Sequence, residues 1–398
     1  MKDRTLLMIP GPIEFEPDVL QALGAPTTSH VSPDFIETFG RALERMREVW
    51  LAPTGQPFIL AGSGTLAMDV VGANLIEPGD RALVLSTGTF GDRFEDLLKR
   101  YGADVTVLRA PLGETIDFDE VRRTLNEGDF KLMTGTHVDT STAVRIDAKR
   151  FGELGRAHNA LTVLDGVCSV AGEEIRQEEW CLDVVLTASQ KAIGVPPGLA
   201  LLVASERALA VWRARTSTVA NYYADWGKWL PIMEAYENRA PSYFGTPAVN
   251  LVCALDVSLG QILAEGMELR FARHAVIGEA CRAGLKALGL GQIPIRDAHA
   301  ANTLSAPRYP NGVGASDLLP HVRAAGAILA GGLHAHVKAE YFRIGHMGAV
   351  KPGDLLATLG AIEIGLAKAG HPFQSGAGIA AAQHVLVGAA GSARDSLP

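Results

Sequence analysis

The sequence lacks the features that mark several large classes of protein. Only four of its 398 residues are cysteines, and they form no CxxC pair and no Cys/His cluster with zinc spacing. No run of five or more like charges is present, and the formal net charge is -8. Because binding to nucleic acid requires a basic face, we expect no nucleic-acid partner. Because the cysteines and histidines lack metal-binding spacing, we also expect no metal site.

Long apolar segments are also missing. The segment from Met1 to Pro10 has no apolar stretch that ends in small residues, so we predict no signal peptide. No segment approaches the roughly 20 apolar residues of a membrane helix. We therefore expect a cytoplasmic protein without a membrane partner.

The composition that remains, 47% hydrophobic and 20% charged residues, is ordinary for a globular enzyme. Between about residues 57 and 204, short apolar runs alternate with helical patterns. The runs are continuous, which is typical of strands that are covered on both faces. The pattern predicts an α/β fold with a mostly parallel seven-stranded sheet. The predicted strands are Phe58–Ala61, Ala82–Ser86, Val105–Leu108, Leu132–His137, Leu161–Asp165, Val184–Ala188 and Leu199–Val203.

The segments around this sheet are less regular. Helical spacing predicts helices at Gly91–Tyr101, at Asp119–Leu125 and from Asn250 to Glu268. The aromatic-rich segment Tyr222–Pro247 is predicted to be a long loop, packed on the domain or serving the active site or an interface. We predict four parts: an N-terminal arm (1–20), a large domain (21–255), a smaller C-terminal α+β domain (256–372) and a flexible tail with at most one helix (373–398).

Two polar residues follow predicted strands closely. Asp165 ends the run Leu161–Asp165, and Lys191 lies just past Val184–Ala188. An enzyme that uses pyridoxal 5′-phosphate (PLP) needs a lysine to form an imine and an acid to keep the pyridine nitrogen protonated. A carboxylate at the end of a buried strand is costly unless a cation pairs with it. A surface-loop lysine and a turn or N-cap aspartate are the ordinary alternatives, and spacing alone favours the former for Lys191.

A phosphate cradle is the third requirement. The segment Ala61-Gly-Ser-Gly-Thr-Leu-Ala67 follows a strand and opens a helix, where free N–H groups and the helix dipole favour a phosphate. The same segment reads as the G-x-G-x-x-A fingerprint of dinucleotide binding. That fingerprint needs an acid at the end of the second strand. The strand Ala82–Ser86 ends without one, and Asp80 precedes it, so an NAD-binding dehydrogenase ranks below a PLP enzyme.

Three further residues fit such a site. Phe90 lies past a strand end and is a candidate to stack on a pyridine ring, although it also suits a core position. Arg343 is a candidate to grip a substrate carboxylate with two hydrogen bonds, although surface arginines are common. His137 follows a strand and is a candidate to line the site.

Together these segments resemble class V aminotransferases of fold type I, in the alanine–glyoxylate and serine–glyoxylate (serine–pyruvate) group. The resemblance runs from Leu7-Met-Ile-Pro-Gly-Pro12 to Arg343-Ile-Gly-His-Met-Gly348. The longest matching segments are Pro57-Phe-Ile-Leu-Ala-Gly-Ser-Gly-Thr65, Ser86-Thr-Gly-Thr-Phe-Gly-Asp-Arg93, Thr136-His-Val-Asp-Thr-Ser-Thr-Ala143, Thr187-Ala-Ser-Gln-Lys-Ala-Ile-Gly194 and Tyr243-Phe-Gly-Thr-Pro247.

The resemblance implies a role for each matching position. Lys191 is implied to be the Schiff-base lysine and proton shuttle, Asp165 the partner of the pyridine nitrogen, and Arg343 the substrate-carboxylate residue. The other implied cofactor contacts are Ser63, Gly64, Thr65 and Gln190 at the phosphate, Val167 beneath the ring, Thr140 at the ring hydroxyl, and Tyr243 and Thr246 at the phosphate of a neighbouring subunit. A homodimer with active sites at the subunit interface follows from the last pair.

The implied reaction is ping-pong transfer of the amino group of alanine or serine to glyoxylate, which yields pyruvate or hydroxypyruvate and glycine. Many relatives carry His where Thr65 stands and Trp or Tyr where Phe90 stands, which bears on donor preference. Within PLP chemistry, the alternatives are a serine–pyruvate aminotransferase and a cysteine desulfurase or lyase. A desulfurase needs a reactive cysteine on a mobile loop, and Cys168 follows a strand too closely to suit that role.

Overall fold

The computed structural model describes residues 5–394 and places a seven-stranded sheet at the centre of the molecule. The strands of the described residues are β1 (Leu6–Leu7), β2 (Gln56–Ala61), β3 (Arg81–Ser86), β4 (Asp104–Arg109), β5 (Leu132–Thr136), β6 (Leu161–Asp165), β7 (Val184–Ala188), β8 (Leu199–Ala204), β9 (Leu304–Ser305), β10 (Ala327–Ile328), β11 (Ala330–Gly331) and β12 (Phe342–Gly345). All seven predicted strands are present, with ends shifted by at most two residues.

The central sheet is mostly parallel, as predicted. Its order is β2-β8-β7-β6-β5-β3-β4, and only β8 runs antiparallel to its neighbours. Every residue of β5, β6, β7 and β8 is buried, because helices cover both faces. The carboxyl ends of the parallel strands meet at one edge of the sheet. Thr136, Asp165 and Ala188 therefore end side by side there.

Helices surround this sheet and form most of the rest of the molecule. Within the described residues they are α1 (Pro17–Leu23), α2 (Pro33–Trp50), α3 (Gly64–Leu75), α4 (Thr89–Arg100), α5 (Phe118–Asn126), α6 (Ala148–Ala157), α7 (Glu206–Arg213), α8 (Trp226–Glu237), α9 (Val249–Glu265), α10 (Met267–Ala287), α11 (Ala315–Ala324), α12 (Pro352–Lys368) and α13 (Ala377–Arg394). The predicted helices at Gly91–Tyr101 and Asp119–Leu125 correspond to α4 and α5, so both predictions are confirmed.

The prediction of a long loop over Tyr222–Pro247 is wrong, because α8 occupies the middle of that segment. Its aromatic residues are core residues. Trp226 stacks on Phe58 with 5.3 Å between the ring centroids, and Tyr236 stacks on Phe39 at 4.2 Å. Burial of these rings against the sheet and α2 stabilises α8. The loop-forming residues around α8 make this helix hard to predict from the sequence.

The single helix predicted from Asn250 to Glu268 is in fact two helices. Between α9 and α10 the axis turns by 85° at Gly266, whose φ of 83° suits a residue without a side chain. In the described part of the chain no single helix is long and apolar enough to cross a membrane. This bent pair meets the length and composition criteria only when its two helices are taken together.

A second apolar core lies around α10, α11 and α12, with Met8, Leu285 and Ile362 among its residues. It includes β12, the central strand of the three-stranded sheet β11-β12-β9, and the parallel pair of β1 with β10, through which the N-terminal segment joins this core. The limits predicted for the four parts of the chain stay predictions.

The described part of the predicted tail is not loose. It forms one helix, α13, whose Ala382 is fully buried. The Glu363 carboxylate of α12 accepts hydrogen bonds from the N–H groups of Gly376, at 2.7 Å, and Gly378, at 3.0 Å. The many Gly, Ala and Ser residues of this segment let α13 pack closely on α10 and α12. A composition that is typical of flexible segments therefore allows close helix packing here. Residues 395–398 of the predicted tail lie outside the described residues.

Candidate active site

Lys191 is buried at the carboxyl edge of the sheet. Its side chain is 9% exposed, and Nζ donates a hydrogen bond to the carbonyl oxygen of Pro10. Gly11 allows this approach, because a Cβ atom there would lie only 2.8 Å from Nζ. The surface-loop alternative is therefore wrong: this lysine is largely removed from solvent, which is the environment that suits an amine nucleophile.

Asp165 is buried at the end of β6, 2% exposed, on the strand next to the one that leads to Lys191. Its Oδ1 accepts the N–H of Val167 at 2.9 Å, so it also makes the turn contact of the ordinary alternative. Burial raises the pKa of this carboxyl to about 6, although the Val167 hydrogen bond opposes the rise and the nearby Asp139 adds to it. A buried cation facing Asp165, such as a protonated pyridine nitrogen, offsets the cost of ionising it.

Asp139 is a functional candidate that sequence reasoning missed. It is fully buried beyond β5 and accepts hydrogen bonds at Oδ2 from the N–H groups of Phe90, at 2.9 Å, and Gly91, at 3.3 Å. Its Oδ1 accepts the N–H of Ser141 at 2.8 Å. Asp139 thus fixes the first turn of α4 and the loop before Thr140. An acid just past a strand end was the available signal.

The N-terminus of α3 forms a cradle beside these residues. Ser63 is its N-cap residue, and its side chain makes no capping hydrogen bond within the described residues, so it is available to a ligand. A Cβ at Gly64 would lie 2.8 Å from Cγ2 of Val167, so only glycine allows α3 to approach the turn after β6 this closely. The first N–H groups of a helix have no partner within it, and they favour an anion.

Gln190 adds a buried polar group to this region. Its Oε1 has no hydrogen-bond partner in the part of the chain that the structure describes. Since rotation of the amide by 180° exchanges oxygen and nitrogen, the same position also presents an NH₂ donor. A polar group bound next to Lys191 would satisfy this buried, unpaired atom. Together with the cradle, it fits the phosphate of PLP.

Arg343 joins the same site from β12. Its Nε donates to the carbonyl oxygen of Gly331 at 2.8 Å, and Nη1 donates to the carbonyl oxygen of Thr140 at 3.3 Å. The surface alternative is wrong, because the side chain is largely buried and burial lowers its pKa. The bond to Thr140 brings the predicted ring-hydroxyl contact next to the predicted carboxylate contact. The Thr140 hydroxyl itself lies 2.6 Å from Sγ of Cys168.

Three other predicted residues are Tyr243, Thr246 and His137. Tyr243 is 63% exposed on the segment between α8 and α9, where its ring lies 5.3 Å from that of His30, and Thr246 is exposed nearby. His137 is buried behind the sheet edge beside a cavity of about 410 Å³ that Arg145 also lines. Burial lowers the pKa of His137 to about 3, so it stays neutral. Among the described residues, no cluster of three metal-binding side chains is present.

Comparison with known proteins places this arrangement in context. Residues 19–347 match the family described as aminotransferase class-V. The chain is 38% identical to alanine–glyoxylate aminotransferase 1 of Saccharomyces cerevisiae over 86% of this chain and 91% of the yeast protein. It is 32% identical to the L-aspartate–glyoxylate aminotransferase of Paracoccus denitrificans over 96% of each. The crystal structure of pyridoxamine–pyruvate aminotransferase from Mesorhizobium loti superimposes with a TM-score of 0.91, at 30% identity, over 97% of this chain and 98% of that one.

Proposed function

The chain belongs to the class-V aminotransferase family, and from this membership we propose that it transfers the amino group of alanine, with serine as the alternative donor, to glyoxylate. The family has fold type I and depends on PLP. The observation that carries the proposal is the pair of buried groups, Lys191 and Asp165, beyond the ends of adjacent parallel strands. The yeast relative supports alanine and glyoxylate as the substrates.

In this proposal each residue of the site has its own role in binding the cofactor or moving a proton. PLP, when bound, supplies an aldehyde that bonds to amines and a ring that accepts electrons. Lys191 Nζ holds the cofactor and then, as a general base, carries the proton that leaves the α-carbon of the donor. Asp165 holds the proton on the ring nitrogen. Phe90 and Val167 would contact the ring, and the Thr140 hydroxyl would be the partner of the ring hydroxyl.

The remaining contacts bind the ends of the ligands. Ser63, Gly64, Thr65 and Gln190 hold the phosphate at the N-terminus of α3, where the helix dipole favours negative charge. Arg343, whose planar group is held by two carbonyl oxygens, binds the substrate carboxylate. The same carboxylate site serves alanine and glyoxylate in turn, as the two half-reactions of a ping-pong mechanism require.

Two measurements test this proposal. We expect alanine to shift the visible absorption of the purified holoenzyme and glyoxylate to restore it. A matrix of kcat/KM values for alanine, serine and aspartate against glyoxylate and pyruvate should have its maximum at alanine with glyoxylate. A maximum at aspartate would contradict the proposed donor but leave the family assignment intact. Sulfide release from cysteine would instead support a desulfurase, a reading that the 1% exposure of Cys168 disfavours.

We propose further that Tyr243 and Thr246 complete the phosphate site of a second copy of the chain. Both residues are exposed, and this exposure supports the arrangement. Lys191→Ala and Tyr243→Ala enzymes should both be impaired. A purified heterodimer of one chain of each should regain about half of the wild-type activity, because one of its two sites is then intact. No recovery in the heterodimer would show that Tyr243 serves its own chain.

A further inference from the structure

Arg93 is a cation beside the proposed cofactor site. Arg93 lies on α4 one turn beyond Phe90, so that both side chains share a face of the helix. Its Nη1 donates a hydrogen bond to the Thr65 hydroxyl oxygen at 3.0 Å. Its Cζ lies 4.6 Å from the centroid of the Phe90 ring. Arg93 therefore connects the aromatic residue of the site to the first turn of α3.

The charge of Arg93 is directed toward the site rather than neutralised on the helix surface. The acidic residues beside it in sequence, Asp92 and Glu95, form salt bridges with Arg109, at 3.0 Å in the case of Asp92. Arg93 is also near enough to Asp165 for its charge to oppose the rise in the pKa of that buried carboxyl. An arginine held over an aromatic ring loses little further freedom when it binds an anion.

The hydrogen bond from Arg93 also orients Thr65. Because the hydroxyl oxygen accepts from a guanidinium, its own proton points elsewhere and is available as a donor. Thr65 is the second residue of α3, where the free N–H groups favour an anion. A phosphate at this point receives a hydrogen bond from a hydroxyl that a cation polarises. Hydrogen bonds in such charge-assisted chains are stronger than neutral ones.

We propose that Arg93 is a positioning residue for the cofactor, which supplies positive charge beside the phosphate cradle and acts on the phosphate through the Thr65 hydroxyl. This inference rests on the proposed function, since it takes the N-terminus of α3 as the phosphate site. It predicts that Arg93 distinguishes phosphorylated from unphosphorylated pyridoxal. A residue that only supported the Phe90 ring would affect both forms alike.

The test measures the affinity of the cofactor-free protein for PLP and for pyridoxal by fluorescence titration. Arg93→Gln should weaken PLP binding by about tenfold or more and leave pyridoxal binding within about twofold of wild type. Arg93→Lys should recover part of the loss, because it restores the charge. Arg100→Gln is the matched control: it removes the same charge from an exposed position in the last turn of α4 and should change neither affinity.

A double-mutant cycle tests the route through Thr65. The Thr65→Val and Arg93→Gln effects on PLP affinity should be less than additive, because each removes the same chain of hydrogen bonds. Equal weakening of PLP and pyridoxal, or full additivity, would overturn the inference. So would unchanged PLP affinity with a selective loss of kcat/KM for aspartate, which would assign Arg93 to a donor side chain. Failure of the wild-type protein to bind PLP would instead contradict the proposed function.

Discussion

Replacing Lys191 with alanine should lower turnover of alanine and glyoxylate by about two to four orders of magnitude, the contribution of a positioned proton-transfer group. The fold should survive, because the lysine side chain contributes one hydrogen bond, to Pro10, and its removal leaves space beside Gly11. Borohydride reduction of the wild-type holoenzyme, followed by peptide mapping, should place the PLP label on the peptide that contains Lys191. The variant should bind PLP without covalent attachment.

Lys368→Ala is the control for this experiment. It removes an exposed lysine from the last turn of α12, far from the carboxyl edge of the sheet, and should retain wild-type turnover. Full turnover of the Lys191→Ala enzyme, or a label on another lysine, would remove the basis of the proposed mechanism.

The central sheet could be predicted from the sequence because its strands are buried on both faces. Continuous apolar runs of about five residues, such as Leu161–Asp165 and Val184–Ala188, are typical of buried strands and too short for most helices. Both runs are strands with the predicted ends. Helix α8 could not be predicted in the same way. Pro231 lies inside it, and its buried tryptophans alternate with loop-forming residues, so the helical period is hidden. Its stability comes from tertiary contacts that no local pattern reveals.

The site residues likewise differ in how far they could be predicted from the sequence. Lys191, Asp165 and the cradle at Ser63 stand at strand or helix ends, and such positions are visible in the sequence. Asp139 also follows a strand end, but its role, like that of Arg93, depends on contacts across the fold. Asp139 accepts hydrogen bonds from N–H groups that are 49 and 48 residues away in the sequence. Arg93 donates a hydrogen bond to Thr65, which is 28 residues away in the sequence. Sequence spacing within one element gives no information about such contacts.

The second large effect is expected for Asp165→Asn. Breaking a buried ion pair by removing one partner costs about 3–5 kcal/mol, which corresponds to roughly two to four orders of magnitude in kcat. Asparagine keeps the shape and still accepts the N–H of Val167. The variant should therefore fold and bind PLP but fail to hold the ring nitrogen protonated. Asp129→Asn, which removes the same charge from an exposed position, should retain wild-type kcat.

The pH dependence of stability separates this electrostatic role from a structural one. In the cofactor-free protein the pKa of Asp165 is about 6, above its ordinary value of 3.8. A carboxyl whose pKa is raised by folding stabilises the fold when protonated, and this contribution is lost as the pH rises from about 4 to about 6. Between pH 4.5 and 7.5, the melting temperature of the cofactor-free wild type should therefore fall relative to that of Asp165→Asn, by the equivalent of about 3 kcal/mol at most. Saturating PLP should abolish this difference, because the pyridinium pairs with the ionised carboxylate. Parallel profiles without the cofactor would show that Asp165 is already paired within the protein, and the cation-binding role argued for it would then be wrong.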